Sequence, residues 1–217
     1  KQRVIDRSQT RVLAFLNIVG HGMRGGTFEQ DLTDMEAAPA AEMARKYRGT
    51  IVGIKTAHYA GPEWTPVEHA VEAGTLADLP VMVDFGTDHA ERPLAELLTK
   101  KLRPGDIYTH VFSGLRHELD RPGHLSQALW DGRQRGVIFD VGHGAGSFWF
   151  RNAVPAVKQG FIPDSISTDL HIENYTVLSM TQVMSKFLAM GIPLNEIIRR
   201  STVNPALEIH RPELGTL

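Results

Sequence analysis

The sequence contains no cysteine. That excludes disulfides and thiolate ligands, so a metal bound by this chain would rest on nitrogen and oxygen donors. An excess of either charge is also missing. The 23 Lys and Arg stand against 25 Asp and Glu, a formal net charge of −2, with both signs scattered. Nucleic acid is therefore not an expected partner. No apolar run approaches the roughly 18 residues that cross a bilayer, so no membrane partner is expected. Neither a G-x-G-x-x-G nor a Walker loop occurs, and Gly-His-Gly-Ala-Gly at 142–146 matches neither pattern. The chain opens on Lys1 with no initiator Met, signal peptide or transit peptide. Residues 1–7 read as the tail of a helix, and 212–217 stop where a turn would open a strand. Both ends are expected to be cuts in a longer protein. The compartment stays open, with the cytoplasm favoured.

What is present is an alternation. The 217 residues, 42% of them hydrophobic, suffice for one sizeable core and one α/β domain over 1–217. Apolar strands are expected at 11–19, 50–56, 81–85, 106–112, 137–141 and 165–168. Helices are expected at 31–48, 66–77, 93–102, 124–135, 151–159, 178–190 and 195–202. The first helix would bury Leu32, Met35, Ala38, Met43 and Tyr47. The last would begin at Pro193 and Asn195 and close at Pro205. Near-continuous apolar strands are the pattern of a buried parallel sheet. An open doubly wound sheet gathers its chemistry at one switch point. Here nearly every strand ends in a polar residue, which favours a (β/α)8 TIM-type barrel, with about six of its eight strand-helix units in this chain.

The strand-end residues carry the chemistry. Lys55 ends the second strand. It is either an ammonium reaching the rim or an amine that burial leaves neutral, able to take up carbon dioxide as a carbamate and bridge two cations. Asp84 ends the third strand, as a loop cap or an oxygen ligand. His110 ends the fourth, where an imidazole suits zinc. Asp169 follows the last, as a turn cap or as a ligand that also takes a proton from water. His143, between glycines, reads as a substrate-pocket residue rather than a ligand. His21 shares its local setting, since Val-Gly-His-Gly occurs at 19–22 and 141–144. His171 would orient a carboxylate or face solvent. His58, His69, His89, His117, His124 and His210 are expected at the surface.

The series Gly-Ile-Lys-Thr-Ala (53–57), Leu-Arg-Pro-Gly-Asp-Ile-Tyr-Thr-His (102–110), Gly-Val-Ile-Phe-Asp-Val-Gly-His-Gly (136–144) and Asp-Ser-Ile-Ser-Thr-Asp-Leu-His (164–171) resembles the amidohydrolase superfamily. Within it the match is to the dihydroorotase-like amidohydrolase/deacetylase branch. Met-Ser-Lys-Phe-Leu (184–188) and Ser-Thr-Val-Asn-Pro-Ala (201–206) fit the same branch, and the resemblance covers essentially the whole chain. It implies a distorted metallohydrolase barrel, of which this chain holds strands three to eight, with a small flanking β domain absent. One or two divalent metals, usually zinc, would be bound. Lys55 takes the place of a carboxylated lysine after strand four, His110 of a histidine after strand six, and Asp169 of the ligand and general base after strand eight. Two departures stand out. The family's His-x-His pair occurs nowhere in this chain, and Asp84 stands where a strand-five histidine is expected.

The function expected from this is metal-dependent hydrolysis of an amide or ester bond, deacetylase-like or on a cyclic amide. Metal-activated water would attack a carbonyl, with Asp169 as base. A small-molecule substrate is implied, and a homo-oligomer is compatible. One alternative is a non-catalytic barrel that binds a small ligand. Another is a lyase that uses Lys55 as a Schiff base.

Overall fold

The computed structural model describes residues 3–121, 123–172, 174 and 179–216. Five parallel strands form the central sheet: β1 (Ala14–Asn17), β2 (Ile51–Thr56), β3 (Val81–Val83), β4 (Ile107–Tyr108) and β7 (Ile138–Phe139). Each pairs with the next in that order. All are shorter than the apolar runs that contain them. In-register pairing of Asn17, Lys55, Met82, Ile107 and Ile138 puts the ends following the strands on one side.

The expected sixth strand at 165–168 is not a ladder. A single bridge joins Asp140 to Ser165. The segment is nonetheless tied in: Val141, His143 and Gly144 donate their N–H groups to the carbonyls of Ser165, Ser167 and Thr168. Beneath it, the buried Asp140 carboxylate accepts from the hydroxyls of Thr109, Ser165 and Ser167 at 2.7–2.9 Å. Two neighbouring chain segments are thereby locked to one carboxylate.

Helices cover the sheet. α1 (Ala37–Lys46) buries Ala37, Ala40, Ala41 and Ala44. The expected face is corrected: Ala38 points outward and Met43 is exposed, because an alanine stripe at helical spacing lets the helix lie closer to the sheet. Residues 32–34 form a separate 3-10 turn. α2 (Thr65–Ala77) has Pro66 in its first turn, as expected. The expected helix at 93–102 is α3 (Leu94–Glu96) followed by a π-turn, Leu97–Lys101, that buries both Leu97 and Leu98 completely.

The expected helix at 124–135 is also corrected. His124–Leu125 is a strand (β6) paired antiparallel with Leu119–Arg121 (β5), and the helix α4 (Gln127–Gln134) begins only after Ser126, whose hydroxyl caps it. α5 (Phe150–Lys158) and α6 (Met180–Ala189) follow; the expected start of α6 at Leu178 lies outside the described residues. α7 (Leu194–Ser201) runs on, after a break at Thr202, into α8 (Val203–Glu208). Pro205 therefore sits inside a first turn instead of closing a helix.

α8 ends on a buried acid. Glu208 Oε1 has no hydrogen-bond partner among the described residues, and burial, with the Asp140 charge adding to it, pushes the carboxyl up to about 8. A folded value above the unfolded 4.5 contributes stability that is full below about pH 4.5 and is lost as pH rises through about 8. Glu208→Gln is expected to abolish that loss, so that the variant exceeds the parent by a few kcal/mol at pH 9 but not at pH 4. Denaturant unfolding at the two pH values measures it.

Candidate metal centre

One cavity of about 360 Å³ opens where the strand ends converge, lined by His58, Asp84, His110, Arg116, Asp169 and His171 among others. Three of these depart from ordinary backbone geometry. His58, His110 and Asp169 have φ of 60°, 62° and 47°, in the left-handed region. Such strain in non-glycine residues costs on the order of 1–3 kcal/mol each and concentrates at functional sites. Only two other described non-glycine residues share it, Asp78 and His210, at the ends of α2 and α8.

His110 is buried two residues past β4. Its Nδ1 lies 2.6 Å from the Gly142 carbonyl oxygen. A carbonyl only accepts, so Nδ1 carries a proton. Nε2 faces Asp84 Oδ2 at 3.6 Å. Gly142, at φ 45°, makes the approach possible, because a Cβ there would stand 2.6 Å from His110 Nδ1. Gly144 does the same for Asp169, whose Oδ2 would be 2.8 Å from an added Cβ. The glycines around His143 thus admit His110 and Asp169.

Asp84, one residue past β3, has its two oxygens in different company. Oδ1 accepts from Arg116 Nη2 at 2.7 Å, and Oδ2 faces His110 and His58. Burial works to raise this carboxyl, but the contact with His110 and the charge of Arg116 outweigh it and hold the group well below the usual range. His110 is raised in turn: burial opposes its protonation, Asp84 favours it more strongly, and the nearby Lys55 charge subtracts a little. Lys55 is half-buried on β2.

Asp169 is held from behind. Its carbonyl oxygen is 2.7 Å from His171 Nδ1 and accepts from Asn174 Nδ2 at 3.0 Å, while its carboxylate is 40% exposed. His143 is buried and stacked on Phe148, with Nε2 2.6 Å from Lys186 Nζ. Burial lowers both His143 and Lys186. His21 is not brought to the cavity. Its ring bonds to Asp34 Oδ2 at 2.8 Å and stands against Phe28.

The other histidines divide. His69 bonds the Met35 carbonyl, His89 that of Ala60, and His117 the Asp88 carboxylate. His58 is exposed, as expected, and also lines the cavity. Arg116 is likewise a cavity residue that no local pattern announces, since its partner Asp84 lies 32 residues away in sequence.

The donor chemistry suits a divalent cation in pairs. Two ligands about 2.1 Å from a tetrahedral ion stand about 3.4 Å apart. The His110–Asp84 separation of 3.6 Å is close to that edge and too long for a hydrogen bond. Among the described residues, no group of three or more His, Cys, Asp or Glu side chains is arranged to hold an ion by itself. Lys55, as a carbamate, lies outside that set of donor types.

No family model matches the chain. It is 31% identical over 216 residues to a deacetylase of Brucella anthropi, covering 95% of this chain and 53% of that protein. A deacetylase of Agrobacterium fabrum is 30% identical over 216 residues, at 95% and 52% coverage. One of Enterococcus faecalis is 30% identical over 222 residues, at 98% and 59%. The chain thus spans between about half and three fifths of the curated relatives it matches. A crystal structure of an adenine deaminase superposes with a TM-score of 0.90 at 29% identity, covering 99% of this chain and 60% of that one. One of a dihydroorotase gives 0.82 at 29% identity, covering 97% and 60%. Relatives by sequence and by structure agree with one another: the chain is similar to the amidohydrolase superfamily, on its dihydroorotase-like deacetylase side.

Proposed function

We propose that the chain is the catalytic face, strands three to eight, of a (β/α)8 barrel that hydrolyses an amide or ester bond of a small molecule with the help of a divalent metal, zinc by donor type. Acetylated amines, acetylated alcohols and cyclic amides are the substrate classes that the named relatives suggest. The observation that carries the reading is the convergence of Asp84, His110 and Asp169 in one cavity, with His110 Nε2 3.6 Å from Asp84 Oδ2. Lys55, Asp84, His110 and Asp169 are the residues that would hold the metal. Lys55 would do so as a carbamate, formed from its amine and carbon dioxide with release of one proton. When bound, such an ion brings the pKa of water toward neutrality and polarises a carbonyl.

The chain's own residues supply the rest. Asp169 takes a proton from the attacking water and returns it to the departing amine or alkoxide. His171 and Asn174 grip its backbone carbonyl and keep the carboxylate turned to the cavity. Arg116 keeps Asp84 ionised. His143, whose Nε2 lies 2.6 Å from Lys186 Nζ, is the residue we assign to substrate binding.

Chelation tests this. Full-length protein incubated with a strong chelator should lose acetyl release from N-acetyl and O-acetyl compounds, or ring opening of cyclic amides, and regain it with zinc. Turnover that survives complete metal removal would sink the reading. A second reading has one observation behind it: the Arg116 ion pair on Asp84 would serve a non-catalytic, ligand-binding barrel equally well. Metal analysis of the purified protein separates the two, since a near-stoichiometric ion favours the hydrolase.

A further inference from the structure

Asp140 follows β7 directly and is only 3% exposed. Oδ2 accepts from Thr109 Oγ1 at 2.7 Å and from Ser167 Oγ at 2.9 Å, and Oδ1 accepts from Ser165 Oγ at 2.9 Å. A carboxylate accepts on both of its oxygens, whereas an amide accepts on one. Asparagine could therefore not receive these hydroxyls on both sides.

Each hydroxyl leads towards the cavity. Thr109 is the residue before His110. Ser167 stands two residues before Asp169, and its Oγ also accepts from the Gly142 N–H at 3.0 Å. The Gly142 carbonyl in turn accepts from His110 Nδ1 at 2.6 Å. A circuit thus closes through Asp140, Thr109, His110, Gly142 and Ser167. A Cβ on Gly142 would collide with both Thr109 Oγ1 and His110 Nδ1, so the circuit requires that glycine. The segment that delivers Asp169 has no ladder to hold it. Beyond the single Asp140–Ser165 bridge it relies on the N–H groups of Val141, His143 and Gly144 and on the Asp140 carboxylate. His110 and Asp169 are also two of the residues with left-handed backbone, and such strain persists only where the surroundings over-determine it.

We propose that Asp140 is a positioning residue of the candidate active site. Through Thr109, Ser165 and Ser167 it fixes His110 and Asp169 relative to one another, and it takes no part in the chemical step. The proposal rests on the hydrolase reading above, in which those two residues serve one reacting bond.

The test uses full-length protein, with turnover and amide hydrogen exchange measured together. Asp140→Asn and Thr109→Val should each lower kcat by roughly 10- to 100-fold, the scale of a small misplacement of reacting groups. KM should change by less than about threefold. Thr109→Ser, which restores the hydroxyl, should recover most of the rate. In Asp140→Asn the amides of Val141, His143 and Gly144 should exchange roughly tenfold faster or more, as expected on losing a hydrogen bond to a charged group. The Ile54 amide, bonded to the Pro80 carbonyl elsewhere in the sheet, should be unchanged. Parental kcat in both variants overturns the proposal and leaves the hydrolase reading standing. A lower kcat with exchange raised evenly, at Ile54 as well, means general loosening and overturns it too. If the parent turns over no acetylated compound or cyclic amide, the hydrolase reading fails, and the exchange pattern alone decides whether Asp140 holds the two segments. Should Asp140→Asn fail to fold, Thr109→Val decides by the same criteria.

Discussion

Asp169→Asn should lower kcat by roughly 10²- to 10⁴-fold, the range associated with removing a positioned general base. The substitution keeps the side chain's shape and one carbonyl oxygen but removes its basicity. Neither of the hydrogen bonds that aim the residue is touched, because His171 and Asn174 bond to the backbone carbonyl, with the carboxylate a further 3.9 Å from His171 Nδ1. Gly144 leaves room for either side chain. The loss should therefore fall on kcat more than on KM, and the zinc content of the purified variant should separate loss of the base from loss of a ligand. Turnover by Asp169→Asn at the parental rate, on the substrate that chelation identifies, would remove Asp169 from the mechanism.

Arg116→Met should destabilise the fold by about 3–5 kcal/mol, as expected when one partner of a buried ion pair is deleted. The Arg116 side chain is completely buried. It meets Asp84 Oδ1 at 2.7 Å and Ser113 Oγ at 2.8 Å, lies 3.9 Å from Glu118, and stands over the Tyr108 ring. Its removal strands two buried carboxyls, and burial already pushes Glu118 up. The pH dependence has a definite sign. Asp84 is depressed below its ordinary 3.8, so it contributes stability that is present above that value and lost as pH falls through its folded value. In Arg116→Met that contribution shrinks. Adding Asp84→Asn should recover much of the loss, because a neutral amide is less costly to leave unpaired than a buried charge. Denaturant unfolding of the two single variants and the double variant at pH 7 measures the coupling. Purely additive losses would mean that the two residues do not act as a pair.

The strand-end positions are legible in the sequence because the signal is local. A buried parallel strand is a short apolar run, and the residue just past it is aimed at the site by the strand itself. Asp84 and His110 follow that rule, whereas Lys55 lies within β2 and Asp169 follows a segment joined by a single bridge. Helix faces are less legible where small residues compete: the alanine stripe of α1 carries little hydropathy, so Met43 reads as core and is exposed. The hairpin of β5 and β6 leaves no such mark, because its pairing covers few residues and carries no alternating pattern.

His58 marks the boundary between the two kinds of knowledge. By sequence it is one of ten histidines, in a loop, with no ligand spacing around it. Its hydrogen-bond partner Glu29 lies 29 residues upstream, and Asp84 lies 26 residues downstream. The sequence alone determined the α/β class, the order of the strands that carry the candidate ligands and the type of donor, since no cysteine leaves only nitrogen and oxygen. Only the tertiary structure decided which nitrogen of each imidazole faces Asp84, which oxygen of Asp84 is taken by Arg116, and that His58 stands on the cavity wall. Those facts depend on side chains brought together across the sheet, and hydrogen-bond partners chosen through space leave no periodicity in the chain.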